Sequence, residues 1–192
     1  MNGGQVQRFS HNGLSAEIHH GDALDFLNSL DDESVSLIFS SPPYCIGKPY
    51  DRSFEAKDFL IEHERILETL LSKVRPGGSI CWQVGVHASQ QGLVPLDALV
   101  FAAASKFPDL HLRNRIVWTF EHGAHARRRF SGRYETVMWF TKGDDYYFNL
   151  DAVRVPQKYP GKRHYKGPLK GQWSGNPLGS GPVKEIPSGS II

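Results

Sequence analysis

Val35-Ser36-Leu37-Ile38-Phe39-Ser40-Ser41-Pro42-Pro43-Tyr44 is the stretch that decides the fold. Val35 to Ser40 is an apolar run that reads as a buried strand. The strand must stop at the two prolines, because neither has an N–H for a ladder. Their carbonyls remain free to accept hydrogen bonds. A small hydroxyl precedes them and an aromatic ring follows. Ser41 to Tyr44 is therefore a rigid, acceptor-rich corner with a stacking face. It stands at the carboxyl end of a strand, where open α/β sheets hold their ligands.

Working outward, Ala16 to His20 reads as a short strand. Asp22 can cap the helical segment Ala23 to Leu30, where Leu24, Leu27 and Leu30 recur at helical spacing. Residues 41–54 read as a loop, because Pro42, Pro43, Gly47 and Pro49 oppose regular structure. Glu55 to Lys73 is a helix with Phe59, Ile66, Leu67, Leu70 and Leu71 on one stripe. Arg75-Pro76-Gly77-Gly78 stops it. Ser79 to Val84 is a strand and Leu96 to Lys106 an apolar helix. Leu112 to Thr119 and Tyr134 to Thr141 are strands, joined by a basic loop and antiparallel to one another. Strands alternating with helices over residues 16–119 indicate a parallel α/β sheet.

Composition narrows the class. The chain has 192 residues and is 40% hydrophobic, enough for the core of one domain. Its apolar stretches fall short of the ~20 residues a membrane span needs, and the N-terminus lacks a signal-peptide pattern. Two cysteines, Cys45 and Cys81, form no framework, which places the chain in a reducing cytoplasm.

The net charge of +2 hides an uneven distribution. Residues 1–151 carry 15 Lys/Arg against 19 Asp/Glu, whereas residues 152–192 carry 7 Lys/Arg against Glu185 alone. Arg127-Arg128-Arg129 and Arg133 form a second basic cluster inside the acidic part. Such patches are the footprint of a polyanion, although a solvated tail would show the same excess. After about Asn149 the chain is rich in Pro, Gly, Lys and Tyr without periodicity. We divide it into a catalytic part, 1–150, and a basic irregular segment, 151–192.

The Ser41–Tyr44 corner suits a nucleobase with an exocyclic amine. That amine is a poor nucleophile because its lone pair is delocalised into the ring. Acceptors for both N–H groups, the Ser41 hydroxyl and the Pro42 carbonyl, favour the pyramidal, nucleophilic nitrogen. Tyr44 would stack on the base, worth ~1–3 kcal/mol. A base in a duplex reaches such a corner only when flipped out.

These residues resemble motif IV of the amino-directed (N4-cytosine/N6-adenine) DNA methyltransferases, which use S-adenosylmethionine. Gly21-Asp22-Ala23-Leu24-Asp25-Phe26-Leu27, with Asp32-Glu33-Ser34-Val35 and Leu37-Ile38, resembles the lead-in of the β-type, circularly permuted members. Ile46-Gly47-Lys48 with Tyr50-Asp51 resembles the loop after the motif. Arg75-Pro76-Gly77-Gly78-Ser79 resembles the helix–strand junction behind it. Trp118, the run Arg128 to Glu135, and Trp139-Phe140-Thr141-Lys142 resemble the hairpin flanking the target base. The likeness spans about residues 16–187.

The resemblance implies a Rossmann-like methyltransferase sheet. Ser41, Pro42, Pro43 and Tyr44 would form the amine pocket. Asp22 and Ser41 would adjoin S-adenosylmethionine, with Asp22 near its adenosine. Arg127, Arg128, Arg129 and Arg133, with Lys162 and Arg163 in the tail, would meet DNA. Ser rather than Asp at position 41 tilts the target toward N4 of cytosine. The family's Phe-x-Gly-x-Gly cofactor motif is expected after target recognition, and Gly179-Ser180-Gly181 has neither the strand nor the helix it needs. The sheet is therefore expected to be incomplete at the C-terminus. A complementing chain or a homo-oligomer would then cover its open edge. The alternative is a non-catalytic DNA-binding or assembly module; RNA or protein glutamine is a further substrate class that a planar-amide pocket would fit.

Blander readings account for other residues. His19 and His20 point to opposite faces of a strand, and His122 and His125 lack further ligands, so no metal is expected. Glu62, Glu64 and Glu68 read as a solvated helix face. Cys45 has no base to activate it. Trp82, Trp118 and Trp139 read as core or sheet residues, and Trp173 as the tryptophan better placed for nucleic acid.

Overall fold

The structure is a computed structural model that describes residues 6–44, 54–89, 92–122 and 125–156, and the backbone of 164–165, 183–184 and 190–191. It divides into two compact units, Met1–Tyr147 and Phe148–Ile192.

The first unit opens with an antiparallel hairpin, β1 (Val6–His11) and β2 (Leu14–His19). Asn12 and Gly13 form its turn with φ of 49° and 78°, as a two-residue primed turn requires. The strand expected at 16–20 is thus the second arm of a hairpin, and the Asn-Gly pair is its signal. Helix α1 (Ala23–Asn28) follows, capped by Asp22, whose Oδ1 accepts from the Leu24 and Asp25 amides at 2.8 and 3.2 Å.

Strand β3 (Val35–Ser40) leads through residues 41–54 to helix α2 (Ala56–Lys73). Strand β4 (Val74–Val84) follows directly, because Val74 turns from helical to extended backbone. A short hairpin, β5 (Val86–Ser89) with β6 (Gly92–Pro95), then delivers helix α3 (Leu96–Ala104). Strands β7 (Leu110–Thr119) and β8 (Tyr134–Lys142) complete the unit.

Four strands form the main sheet in the order β3-β4-β8-β7. β3 and β4 are parallel, and β8 runs antiparallel to both β4 and β7. The βαβ crossover and the antiparallel last pair agree with the sequence reading. Ile80, Trp82 and Val84 of β4 alternate onto the helix-facing side, joined by Met138 and Phe140 of β8. They pack on Phe59, Leu67 and Leu70 of α2 and Leu96, Val100 and Ala103 of α3. Burying a side chain of this size contributes about 1.5–3 kcal/mol.

One expectation fails in detail. The apolar run predicts a buried β3, yet Leu37 and Phe39 are 57% and 59% exposed. Among the described residues β3 pairs only with β4, and the helices cover the Ile38 face, so Leu37 and Phe39 are left on the other. Arg75–Gly78 also differs: it is already strand, with a register shift opposite Val35 and Leu37 that Gly77, at φ 74°, accommodates.

In the second unit, described by itself, a short 3-10 turn covers Asp151–Val153. β9 (Arg154–Val155) pairs with β12 (Ser190–Ile191), and β10 (His164–Tyr165) with β11 (Val183–Lys184). The candidates Lys162, Arg163 and Trp173, like Cys45, Ile46–Asp51 and Gly179–Gly181, lie outside the described residues.

Candidate active site

The carboxyl ends of β3 and β4 meet the amino end of β8, since Ser40 pairs with Trp82 and Val84 with Thr136. Ser41, Gln83, Gly85 and Glu135 therefore come to one edge of the sheet. Tyr44 reaches back over this edge. A Cβ built on Gly85 would sit 3.5 Å from its ring, so the ring lies directly above that glycine.

The Tyr44 hydroxyl has three partners: Ser41 Oγ at 2.8 Å, Glu135 Oε2 at 3.1 Å and the Gln83 carbonyl at 3.3 Å. Gln83 Nε2 donates to the same Glu135 Oε2 at 2.6 Å. A phenol has one proton and a carboxylate only accepts. Tyr44 therefore gives its proton to Glu135, the stronger acceptor. The Ser41 hydroxyl then donates to Tyr44 Oη, and Ser41 faces outward with its lone pairs. Burial, helped by the Glu135 charge against the opposing Ser41 bond, pushes the Tyr44 phenol above its usual range and keeps it protonated. This arrangement leaves the Ser41 lone pairs free to accept. Sequence reasoning misses Gln83 and Glu135 as partners of Tyr44, since nothing in local spacing links positions 44, 83 and 135.

The loop from β7 to β8 rises from this same edge. Its base is closed by the Phe120 amide on the Arg133 carbonyl at 3.0 Å and by Arg133 Nη1 on the Glu121 carbonyl at 2.7 Å. Arg133 is thus half-buried and engaged, whereas Arg127, Arg128 and Arg129 are exposed. Trp118 pairs across the strands with Glu135 and is 56% exposed, unlike the buried Trp82. Trp139 donates to Ser79 Oγ at 3.1 Å.

Asp22 lies between β2 and α1. It lines a cavity of about 480 Å³ with Glu17, His19, His20, Asp25 and Phe26, a lining that includes none of Ser41–Tyr44. His19 and Phe26 offer a ring pair with centroids 4.3 Å apart. The carboxylates accept hydroxyl donors, and Arg8 beside Glu17 holds that carboxyl below its usual range. Rings beside carboxylates fit the base and sugar of a nucleoside. Among the described residues no cluster of three metal-ligating side chains occurs, and no helix is long and apolar enough to cross a membrane. Burial raises the pKa of the Cys81 thiol, which disfavours the nucleophilic thiolate.

The sheet, with an acceptor corner at its carboxyl edge, defines a methyltransferase-type α/β domain. Residues 35–185 match the DNA methylase family, and the chain belongs to that family of amino-methyltransferases. It is 44% identical over 170 residues to the Type II methyltransferase M.BglII of Bacillus subtilis, covering 86% of this chain and 46% of that one. It is 32% identical over 170 residues to M.ScaI of Streptomyces caespitosus, with 86% and 53% covered. The chain thus spans about half the length of these relatives. Among solved structures it resembles the PvuII cytosine-N4-specific DNA methyltransferase, with a TM-score of 0.61 at 19% identity over 69% of this chain and 51% of that one. TTHA0409 of Thermus thermophilus, complexed with S-adenosyl-L-methionine, gives 0.53 at 23% over 71% and 61%. These two likenesses show the fold.

Proposed function

We propose that this chain carries the target-amine pocket of a DNA amino-methyltransferase acting on a flipped base, with N4 of cytosine favoured over N6 of adenine. The observation that carries the reading is the hydrogen-bond chain Ser41–Tyr44–Glu135. With its proton committed to Tyr44, the Ser41 hydroxyl accepts one amine hydrogen and the Pro42 carbonyl accepts the other. The nitrogen is drawn toward its pyramidal, nucleophilic form. Tyr44, pinned through its hydroxyl, offers its ring as a stacking face. Preorganised acceptors and positioning supply the catalysis, and no covalent enzyme intermediate is needed. The neutral Ser41 hydroxyl, in place of a carboxylate, supports the cytosine preference.

S-adenosylmethionine supplies the methyl group when bound. Its adenosine fits the cavity of Asp22, Glu17 and Phe26. Arg127, Arg128 and Arg129 meet DNA phosphates near the pocket, and the basic segment after residue 150 contributes to target recognition. Among the described residues no further strand pairs with β3, and Leu37 and Phe39 are exposed beside it, which supports completion of the sheet by a further strand, from a complementing chain or a second copy.

Two measurements test the reading. Nucleosides from DNA incubated with the protein and S-adenosylmethionine should contain N4-methylcytosine; N6-methyladenine would reverse the base assignment. Calorimetry should detect binding of S-adenosylmethionine. No binding, alone or with candidate partner chains, would leave only a DNA-binding or assembly module.

A further inference from the structure

Phe130 is 99% exposed, the most exposed of the large apolar side chains among the described residues. Its described neighbours are bonded to one another. The loop is closed at its base by the Phe120–Arg133 and Arg133–Glu121 bonds. Near its tip the Ala126 amide donates to Ser131 Oγ at 3.1 Å, and Arg129 Nη1 reaches the Phe130 carbonyl at 3.3 Å. A local scaffold thus holds an aromatic ring out into water. Arg127, Arg128 and Arg129 immediately precede it, and residues 125–133 contain no acidic side chain. A protruding flat ring beside clustered guanidinium groups matches a polyanion whose interior is a stack of flat rings. The loop also springs from the strand end that carries Glu135, so its base and the Ser41–Tyr44 corner share one edge of the sheet.

We propose that Phe130 is a wedge that enters the base stack of duplex DNA and fills the gap left when a base moves toward Ser41 and Tyr44. The inference rests on the DNA amino-methyltransferase reading. The arginines hold the backbone phosphates and set the depth of approach. The ring replaces the stacking that the extruded base gives up, which offsets part of the unstacking energy of flipping. Phe130 is a positioning residue: it contacts the neighbours of the target base rather than the reacting atoms.

The test needs neither the recognition sequence nor the cofactor. The probes are two fluorescein-labelled duplexes of equal mixed sequence, one intact and one with a central abasic site that provides a ready gap. The full chain should bind the abasic duplex about 5- to 150-fold more tightly, the ~1–3 kcal/mol of one stacked base converted at ~1.4 kcal/mol per tenfold. Phe130→Ala should lose that preference yet keep the salt slope, because the arginines are intact. Phe130→Trp should retain the preference, and its added emission relative to wild type should be quenched on the abasic duplex. An undiminished preference in Phe130→Ala would overturn the wedge and leave the DNA reading standing. Absence of salt-dependent binding to either duplex would overturn both.

Discussion

The Tyr44 hydroxyl lies 3.1 Å from Glu135 Oε2, across 91 positions of sequence. This bond gives the proton chain its direction and, on the proposed reading, leaves Ser41 to accept. Tyr44→Phe keeps the stacking ring but removes the partner that takes the Ser41 proton. Ser41→Ala removes the acceptor itself. Losing one preorganised polar contact to a reacting group typically lowers kcat by about 10²–10³-fold. Each variant should show a drop of that order in tritiated methyl transfer to DNA, with DNA affinity little changed. Near-normal rates in Ser41→Ala would remove it from the site.

Glu135→Gln separates the carboxylate from its shape. The amide oxygen can take the place of Oε2 and accept from both Tyr44 and Gln83, but as a neutral acceptor. Exchanging a charged partner for a neutral one weakens the bond by about 1–1.5 kcal/mol, roughly 5- to 13-fold in rate. The loss should fall on kcat, with cofactor affinity unchanged. Because the two side chains act through one bond, Tyr44→Phe with Glu135→Gln should cost less than the two changes summed. Strict additivity in that double-mutant cycle would show that they act separately.

Arg128 and Arg129 are exposed, whereas Arg133 holds the Glu121 carbonyl. Arg128→Ala with Arg129→Ala should lower DNA affinity and flatten the plot of log K against log salt by about 0.9 for each phosphate no longer neutralised. Arg133→Ala should instead loosen the loop, visible as faster amide exchange at Phe120. An unchanged salt slope in the double variant would turn that cluster away from DNA.

The main sheet is legible in the sequence because its signals are local. Apolar alternation marks the strands, the stripe Phe59–Leu71 marks α2, and Asp22 sits where a cap belongs. Two things are not legible. Whether Leu37 and Phe39 are covered depends on what lies beside β3, which the residues of β3 cannot report. The roles of Gln83 and Glu135 depend on the β4–β8 register, which places Gln83 opposite Val137 and brings Glu135 to the same edge. The β1–β2 hairpin is a different case, since Asn12-Gly13 carries its turn signal and only the short, weakly apolar arms obscure it.

Gly77 tests the junction behind the pocket. Its φ of 74° lies in the left-handed region, and a Cβ there would run into the Asp145 carbonyl oxygen. Gly77→Ala combines backbone strain of about 1–3 kcal/mol with a backbone clash. It should lower the midpoint of urea unfolding clearly. Gly132→Ala, with open space at the Cβ position and no positive φ, should stay within about 0.5 kcal/mol of wild type. Equal effects at the two sites would mean that the junction relaxes freely.

His63 gives the fold a pH-dependent weakness. Its ring is buried between Phe59, stacked at 3.9 Å, and the edge of Trp82 at 5.9 Å. Nδ1 donates to the Phe59 carbonyl at 2.8 Å, and Nε2 is buried with no hydrogen-bond partner among the described residues. Burial pushes the imidazole pKa below 6.5, against smaller opposing effects of the Phe59 carbonyl and Glu62. The folded state therefore resists a proton that the unfolded state takes up. The stability tied to His63 is fully present above about pH 6.5 and is lost as pH falls toward the depressed folded value. His63→Leu removes both the titration and the unpaired nitrogen. Urea unfolding at pH 7.5 and 5.5 should show wild type losing more stability than His63→Leu over that interval. Parallel losses would mean that the imidazole charges in the folded protein as readily as in the unfolded chain, and that water reaches Nε2.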